Sequence, residues 1–220
     1  MIETADRDAR QLKNLRRTLD DRVQKAIDKA TRSLTQQVHR DPMTGLGNRR
    51  FLDDELDKLV VTSLSSETDL LAIAIDLDHF KAVNDTLGHE SGDDLIKLVA
   101  ELMRQGLRQQ DLVIRQGGDE FLVLMPAGTP DAAKRYADQL RAHFVQQARI
   151  RFARAPKTPN LSVGIAALNP QQHQNGSDLL RTADQALYNA KRQGRGRTVV
   201  NGSLLSDPRR VPRVLPPQVA

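Results

Sequence analysis

The 220-residue chain is 39% hydrophobic and 28% charged, the balance of a globular protein with one sizeable core and an accessory segment. It has no cysteine, which excludes a disulfide scaffold or a thiolate zinc site and fits a reducing cytoplasm. No apolar run approaches the roughly 18 residues of a membrane span, and no signal peptide opens the chain, so a cytoplasmic location is expected. The formal charge of +5 sits at the ends: residues 1–40 carry +4 and 201–220 carry +2, which leaves 41–200 at −1. With 3% aromatics and no tryptophan besides, the chain lacks the basic face and the stacking platform of a nucleic-acid binder.

From 12 to 38 the apolar residues Leu12, Leu15, Leu19, Val23, Ala26, Ala30 and Leu34 recur every three or four positions on a charged background. This spacing predicts one long amphipathic helix. Its 11-residue period (Leu12, Val23, Leu34) keeps an apolar seam nearly straight, and such a seam wants a partner, so 1–40 is expected to act as a dimerisation stalk. Asp41-Pro42 ends it, because the residue before proline avoids the α region. The domain proper is expected over 41–200: a helix at 51–61, a buried strand at 70–76 (LLAIAID), helices at 80–87 and 93–107, and strands at 111–115 and 121–125 around a glycine turn. A helix at 130–147, strands at 149–154 and 161–167, a helix at 177–192 and a short strand at 198–200 follow. Residues 201–220, with four prolines and three arginines, read as a flexible tail without chemistry.

The acids are placed where chemistry is expected. The first strand ends in Asp76-Leu77-Asp78 and the hairpin tip carries Gly117-Gly118-Asp119-Glu120. If the two strands are neighbours, their carboxylates meet, and close carboxylates repel unless a cation lies between them. Oxygen ligands, few in number, suit Mg²⁺ or Mn²⁺ completed by water and phosphate. An EF-hand loop starting at Asp76 fails, because Lys81 stands where glycine is needed and Leu87 where glutamate is needed. Gly117 and Gly118 permit a tight turn and a close approach of backbone to phosphate. Lys81 lies one turn beyond the Asp cluster and Lys191 and Arg195 flank a glycine-rich bend, so the three cations could face the same phosphates; each taken alone reads as an ordinary surface charge. No P-loop motif is present.

Gly117 to Phe121 (GGDEF), preceded by Arg115, resembles the signature of GGDEF domains, the diguanylate cyclases that join two GTP into cyclic di-GMP. Residues 41–50 (DPMTGLGNRR), 76–85 (DLDHFKAVND), 88–93 (GHESGD) and 186–195 (ALYNAKRQGR) extend the resemblance in family order over about 41–200. It implies an α/β, palm-like fold: a central, mostly antiparallel sheet surrounded by helices, of the ferredoxin-like or nucleotidyl cyclase type. It also implies Asp76, Asp119 and the Leu77 carbonyl as metal ligands, and Glu120 beside the reacting ribose hydroxyl. Asn84 and Asp93 match guanine contacts; a carboxylate accepts from both N1–H and the 2-amino group of guanine, a donor pair adenine lacks. Lys81, Lys191 and Arg195 match phosphate contacts. Arg108 and Asp111, spaced R-x-x-D ahead of the hairpin, resemble an inhibitory product site.

The resemblance thus implies a metal-dependent enzyme that acts as a homodimer and is inhibited by its cyclic di-GMP product. A non-catalytic receptor for GTP or cyclic di-GMP, signalling through the N-terminal helix, is the alternative; it would not need the metal carboxylates. Three departures stand out: Gly196 where many relatives have asparagine, Met43 where leucine is usual, and Gln116 where an aromatic is common. None removes a group with an assigned role.

Overall fold

The computed structural model describes residues 22–25 and 38–201. Residues 22–25 are helical; the rest of the expected stalk, and the tail beyond Asn201, lie outside the described residues. From Asp41 the chain forms a unit of its own. Its elements are α1 (Arg49–Ser65), β1 (Leu70–Asp78), α2 (Phe80–Leu87), α3 (His89–Met103), β2 (Leu112–Gly117), β3 (Glu120–Pro126), α4 (Pro130–Arg151), β4 (Asn160–Ala167), α5 (Gly176–Arg192) and β5 (Thr198–Val200).

The five strands form one sheet in the order β2-β3-β1-β4-β5, antiparallel except for the parallel β4/β5 edge. This is the mostly antiparallel α/β sheet that the motif pattern implies. Strand β1 lies at its centre and is buried along its whole length, which explains its unbroken apolar run. Its odd-numbered residues Leu71, Ile73, Ile75 and Leu77 pack with α3 and α4, where Leu95, Val99, Met103, Leu140 and Phe144 are buried. Its even-numbered Leu70, Ala72 and Ala74 face Leu52, Leu56 and Val60 of α1 and Leu179 and Ala183 of α5.

Small residues on this second face set how closely α5 approaches. A Cβ added to Gly164 of β4 would stand 2.1 Å from the Leu187 amide nitrogen and 2.3 Å from the Ala183 carbonyl oxygen of α5. Helix and strand backbones are in direct contact, and the C-terminal turn of α5 is thereby delivered to the end of β1.

Helices α1 and α4 start at side-chain caps. The Asn48 side chain accepts from the Phe51 amide at 3.0 Å, and Thr129 Oγ1 accepts from the Ala132 amide at 3.2 Å ahead of Pro130, in each case satisfying an amide with no intrahelical partner.

Several boundaries depart from the sequence expectation, α1 among them, which runs over Arg49–Ser65 rather than 51–61. The expected strand at 149–154 is instead the last turn of α4, through Arg151, and the turn after it. The alternation of Arg149, Ile150, Arg151 and Phe152 imitates a strand, but the stripe Tyr136, Leu140, Phe144, Ala148 continues into it at helical spacing. Arg149 and Arg151 also complement the negative end of the helix dipole, and Ile150 is left 72% exposed. Helix α3 begins at His89, four residues before the expected start, and ends at Met103, short of Leu107; Gly88 (φ +85°) and Gly106 (φ +76°) supply the left-handed breaks on either side.

Candidate active site

The β1 and β3 strands are antiparallel neighbours, with Asp76 opposite Glu120 in the register. Beyond the last pair the Leu77 amide donates to the Asp119 carbonyl at 3.3 Å. The strand end and the hairpin tip are therefore tied by their main chains, and a hollow of about 240 Å³ opens between them. Asp76, Leu77, Lys81, Asp119, Lys191 and Arg195 all line it. Glu120 lies on an adjoining hollow of about 310 Å³ with Arg49, Gln116, Asp184 and Lys191, so that Lys191 borders both.

The bend that forms this geometry is tight. Gly117 (φ +154°) and Gly118 (φ +50°) take backbone angles that favour glycine, and space is open beside both. On the other wall His79, at φ +64°, turns the chain from β1 directly into α2 and places Lys81 in its first turn.

Asp76 Oδ2 pairs with Lys191 Nζ at 2.7 Å. Burial nevertheless pushes the Asp76 carboxyl up to about 6: it outweighs Lys191, which acts downward, and the neighbouring Asp119 and Asp78 charges add to the rise. A buried carboxylate beside further acids, with one lysine as its ion-pair partner among the described residues, is short of positive charge. Among the described residues no three acidic or imidazole side chains converge to hold a metal alone. The oxygen donors present are the Asp76 and Asp119 carboxylates and the Leu77 carbonyl, a set that fits a hard divalent cation retaining water and phosphate oxygens.

Asp78 faces the same way and behaves differently. Its Oδ1 accepts from Ser162 Oγ at 2.7 Å and its Oδ2 from the Gly196 amide at 2.9 Å. It braces the bend after α5, in which Gly194, Arg195 and Gly196 have φ of +109°, +63° and +58°.

Asn84 and Asp93 do not line the hollow of Asp76. They lie on α2 and α3, joined to it through Phe80, which lines that hollow and also approaches Gly92. A Cβ on Gly92 would stand 1.8 Å from Asn84 Oδ1, an atom that is buried without a hydrogen-bond partner. Arg108 and Asp111 are placed elsewhere, in a turn where the Arg108 amide donates to Asp111 Oδ2 at 2.7 Å. That turn precedes β2, about 17 Å along the strand from the hairpin tip at the usual rise per residue.

Sequence reasoning missed the brace behind the hairpin. Arg115 Nη1 lies 3.2 Å from both Asp41 carboxylate oxygens, while its Nε and Nη2 donate to the Gly118 carbonyl at 3.1 and 2.8 Å. Burial raises the Asp41 carboxyl, but hydrogen bonds from Thr44 and Arg115 overcome this and hold it below the ordinary value. Arg49 donates to Gln116 Oε1 at 3.0 Å, a polar role for a position that is commonly aromatic. Asp184 was also missed; burial and the charge of Glu120 raise its carboxyl. The recurrence of Asp41, Arg49 and Arg115 in the quoted motifs was the available signal.

Two acids, a glycine bend and three cations thus share one end of the sheet. The chain belongs to the diguanylate cyclase GGDEF-domain family, whose sequence model matches residues 38–197. It is 39% identical over 165 residues to the diguanylate cyclase DgcP of Pseudomonas aeruginosa, covering 75% of this chain and 24% of that one. It is also 39% identical over 178 residues to TpbB of the same species, covering 80% of this chain and 40% of the relative. The chain spans less than half the length of these curated relatives. Among solved structures, the GGDEF domain of DgcB from Caulobacter crescentus in complex with c-di-GMP superposes with a TM-score of 0.69 at 30% identity, over 74% of this chain and 95% of that one. No helix among the described residues is long and apolar enough to cross a membrane.

Proposed function

We propose that this domain is a diguanylate cyclase that condenses two GTP into cyclic di-GMP and two pyrophosphates. The observation that carries this reading is the convergence of Asp76 and Asp119 on one hollow with Lys81, Lys191 and Arg195 around it and Glu120 next door. The names of the relatives and the complex formed by DgcB support it.

Asp76, Asp119 and the Leu77 carbonyl would hold Mg²⁺ or Mn²⁺, which when bound supplies acidification of the attacking hydroxyl and neutralisation of phosphate charge. Lys81, Lys191 and Arg195 bind the pyrophosphate portion and offset the charge that develops as it leaves. The 3′-hydroxyl of one GTP attacks the α-phosphate of the other; Glu120 puts a carboxylate where that hydroxyl sheds its proton. Asp93 accepts from the N1–H and 2-amino group of guanine, and the partnerless Asn84 Oδ1 gains a donor when the base arrives.

Two such reactions close the ring, so two domains, each holding one GTP, must face each other. A parallel pair of the 1–40 segments would bring them together. Arg108 and Asp111, away from the reaction, form the product site for feedback, with the guanidinium taking phosphate or a guanine edge. Arg108→Ala is expected to raise the inhibition constant for cyclic di-GMP at least about tenfold with the initial rate unchanged, read by initial rates against added product. Incubation with GTP and Mg²⁺ followed by nucleotide chromatography tests the main reading. Cyclic di-GMP and pyrophosphate are expected; unchanged GTP, with GTP binding intact, would overturn it.

A further inference from the structure

Arg195 is an unusual choice for a left-handed bend. At φ +63° it stands between two glycines that also have positive φ, and non-glycine residues hold such angles only where their surroundings impose them. The surroundings here are specific. Gly196 is held through both of its flanking peptide groups: its amide donates to Asp78 Oδ2 at 2.9 Å, and its carbonyl accepts from Arg141 Nη1 at 3.0 Å. Two residues on, Thr198 Oγ1 donates to Asp138 Oδ1 at 2.7 Å, and the other oxygen of Asp138 pairs with Lys134 at 2.6 Å. Asp138 and Arg141 are one turn apart on α4 and so present neighbouring side chains to the bend. Asn160 closes the remaining side, since a Cβ on Gly196 would lie 2.6 Å from its Nδ2.

Arg141 gives up much to do this. It is half-buried and its Nε has no hydrogen-bond partner; what it gains there is the Gly196 carbonyl and the charge of the Asp138 carboxylate, the two groups that hold the bend. What the bend presents is Arg195, which lines the hollow of Asp76 and Asp119 with its Nε 3.9 Å from Asp78 Oδ1. We infer that Arg141, seconded by Asp138 through Thr198, is a positioning residue for the reaction: from α4, on the opposite face of the sheet from α5, it fixes the Gly196 peptide and thereby aims Arg195 at the terminal phosphates of GTP. This rests on the placement of Arg195 proposed above. It assigns part of the discrimination between a triphosphate and a monophosphate to a helix that does not line the hollow.

The test measures equilibrium binding to the full chain, in the presence of Mg²⁺, of a GTP analogue with a methylene between its α- and β-phosphorus atoms, and of GMP. Arg141→Met is expected to weaken the analogue about tenfold, the worth of a charged hydrogen bond, and to leave GMP unchanged. In an Arg195→Ala background the same change should cost under about twofold more, because both act through one contact. If Arg141→Met weakens analogue and GMP alike, or if its effect multiplies with that of Arg195→Ala, the inference is overturned. Should Arg141→Met not fold, Thr198→Val is read the same way, with an expected effect of about threefold on the analogue alone. A normal analogue affinity in Arg195→Ala itself would overturn the placement of Arg195 and this inference together. Weakening in Arg195→Ala with none in Arg141→Met or Thr198→Val overturns the inference alone.

Discussion

Asp76 and Asp78 stand two residues apart on one face of the same central strand, yet they are held in opposite ways. Asp78, 1% exposed, is supplied with donors by the protein itself, a hydroxyl from β4 and an amide from the bend after α5, with the Arg195 guanidinium farther off at 3.9 Å. Asp76, 7% exposed, meets the Lys191 ammonium and the neighbouring acids. One carboxylate is internally satisfied and serves as a fastening; the other is buried with too little compensation and waits for positive charge. The number of fixed donors around an acid, rather than its burial or its place in a motif, tells the two roles apart.

The comparison breaks first on activity. Asp76→Asn should lower the rate of cyclic di-GMP formation about 10³-fold, the scale of removing a principal electrostatic stabiliser, while the fold persists; an unfolded variant would mean that Asp76 is structural after all. Asp78→Ala should instead cost about 3 kcal/mol of stability by denaturant titration, because the buried Ser162 hydroxyl and the half-buried Gly196 amide are left without an acceptor. Loss of activity without loss of stability in that variant would erase the distinction.

Stability against pH sharpens it further. Burial pushes the Asp76 carboxyl up to about 6 in the fold against 3.8 for an ordinary aspartate, so the folded state binds the extra proton between those values. Stability from this group is fullest below about pH 4 and declines as pH rises through about 6, by up to about 3 kcal/mol. In chelator-treated protein, Asp76→Asn should flatten that decline; a profile rising over the same window would refute the assignment. Smallest is the effect on the bend: Gly196→Ala should cost about 1–2 kcal/mol, from the left-handed angle and the collision with Asn160, and more than Gly118→Ala, where space is open. Equal melting temperatures would show that the bend is not braced.

Much of this was legible in the sequence, for identifiable reasons. The run 70–76 had no period but the right length for a doubly covered strand, and the acids at its end and at the glycine turn announced a shared pole. Lys81, Lys191 and Arg195 were found because their motifs fix them relative to those acids. The strand expected at 149–154 failed because alternation over six residues cannot reveal that a helical stripe is already running through it from Tyr136. Nor could Asp78 be separated from Asp76: its partners Ser162 and Gly196 lie 84 and 118 residues away. The Arg141 bond to Gly196 spans 55 residues and leaves no local trace, since an arginine at a solvent-like position of an amphipathic helix looks like any other.

The contact at Gly164 has a mechanical consequence. Because the main chains of β4 and α5 touch with no side chain between them, the height of the helix backbone above the sheet is set by peptide units, which do not change rotamer. Side-chain jostling in the core is therefore poorly transmitted to the main chain that carries Lys191, and the strand acts as an anvil against which the helix is gauged. An added methyl group at this position would act as a shim, lifting the last turn of the helix and unseating the cation from the acid it neutralises.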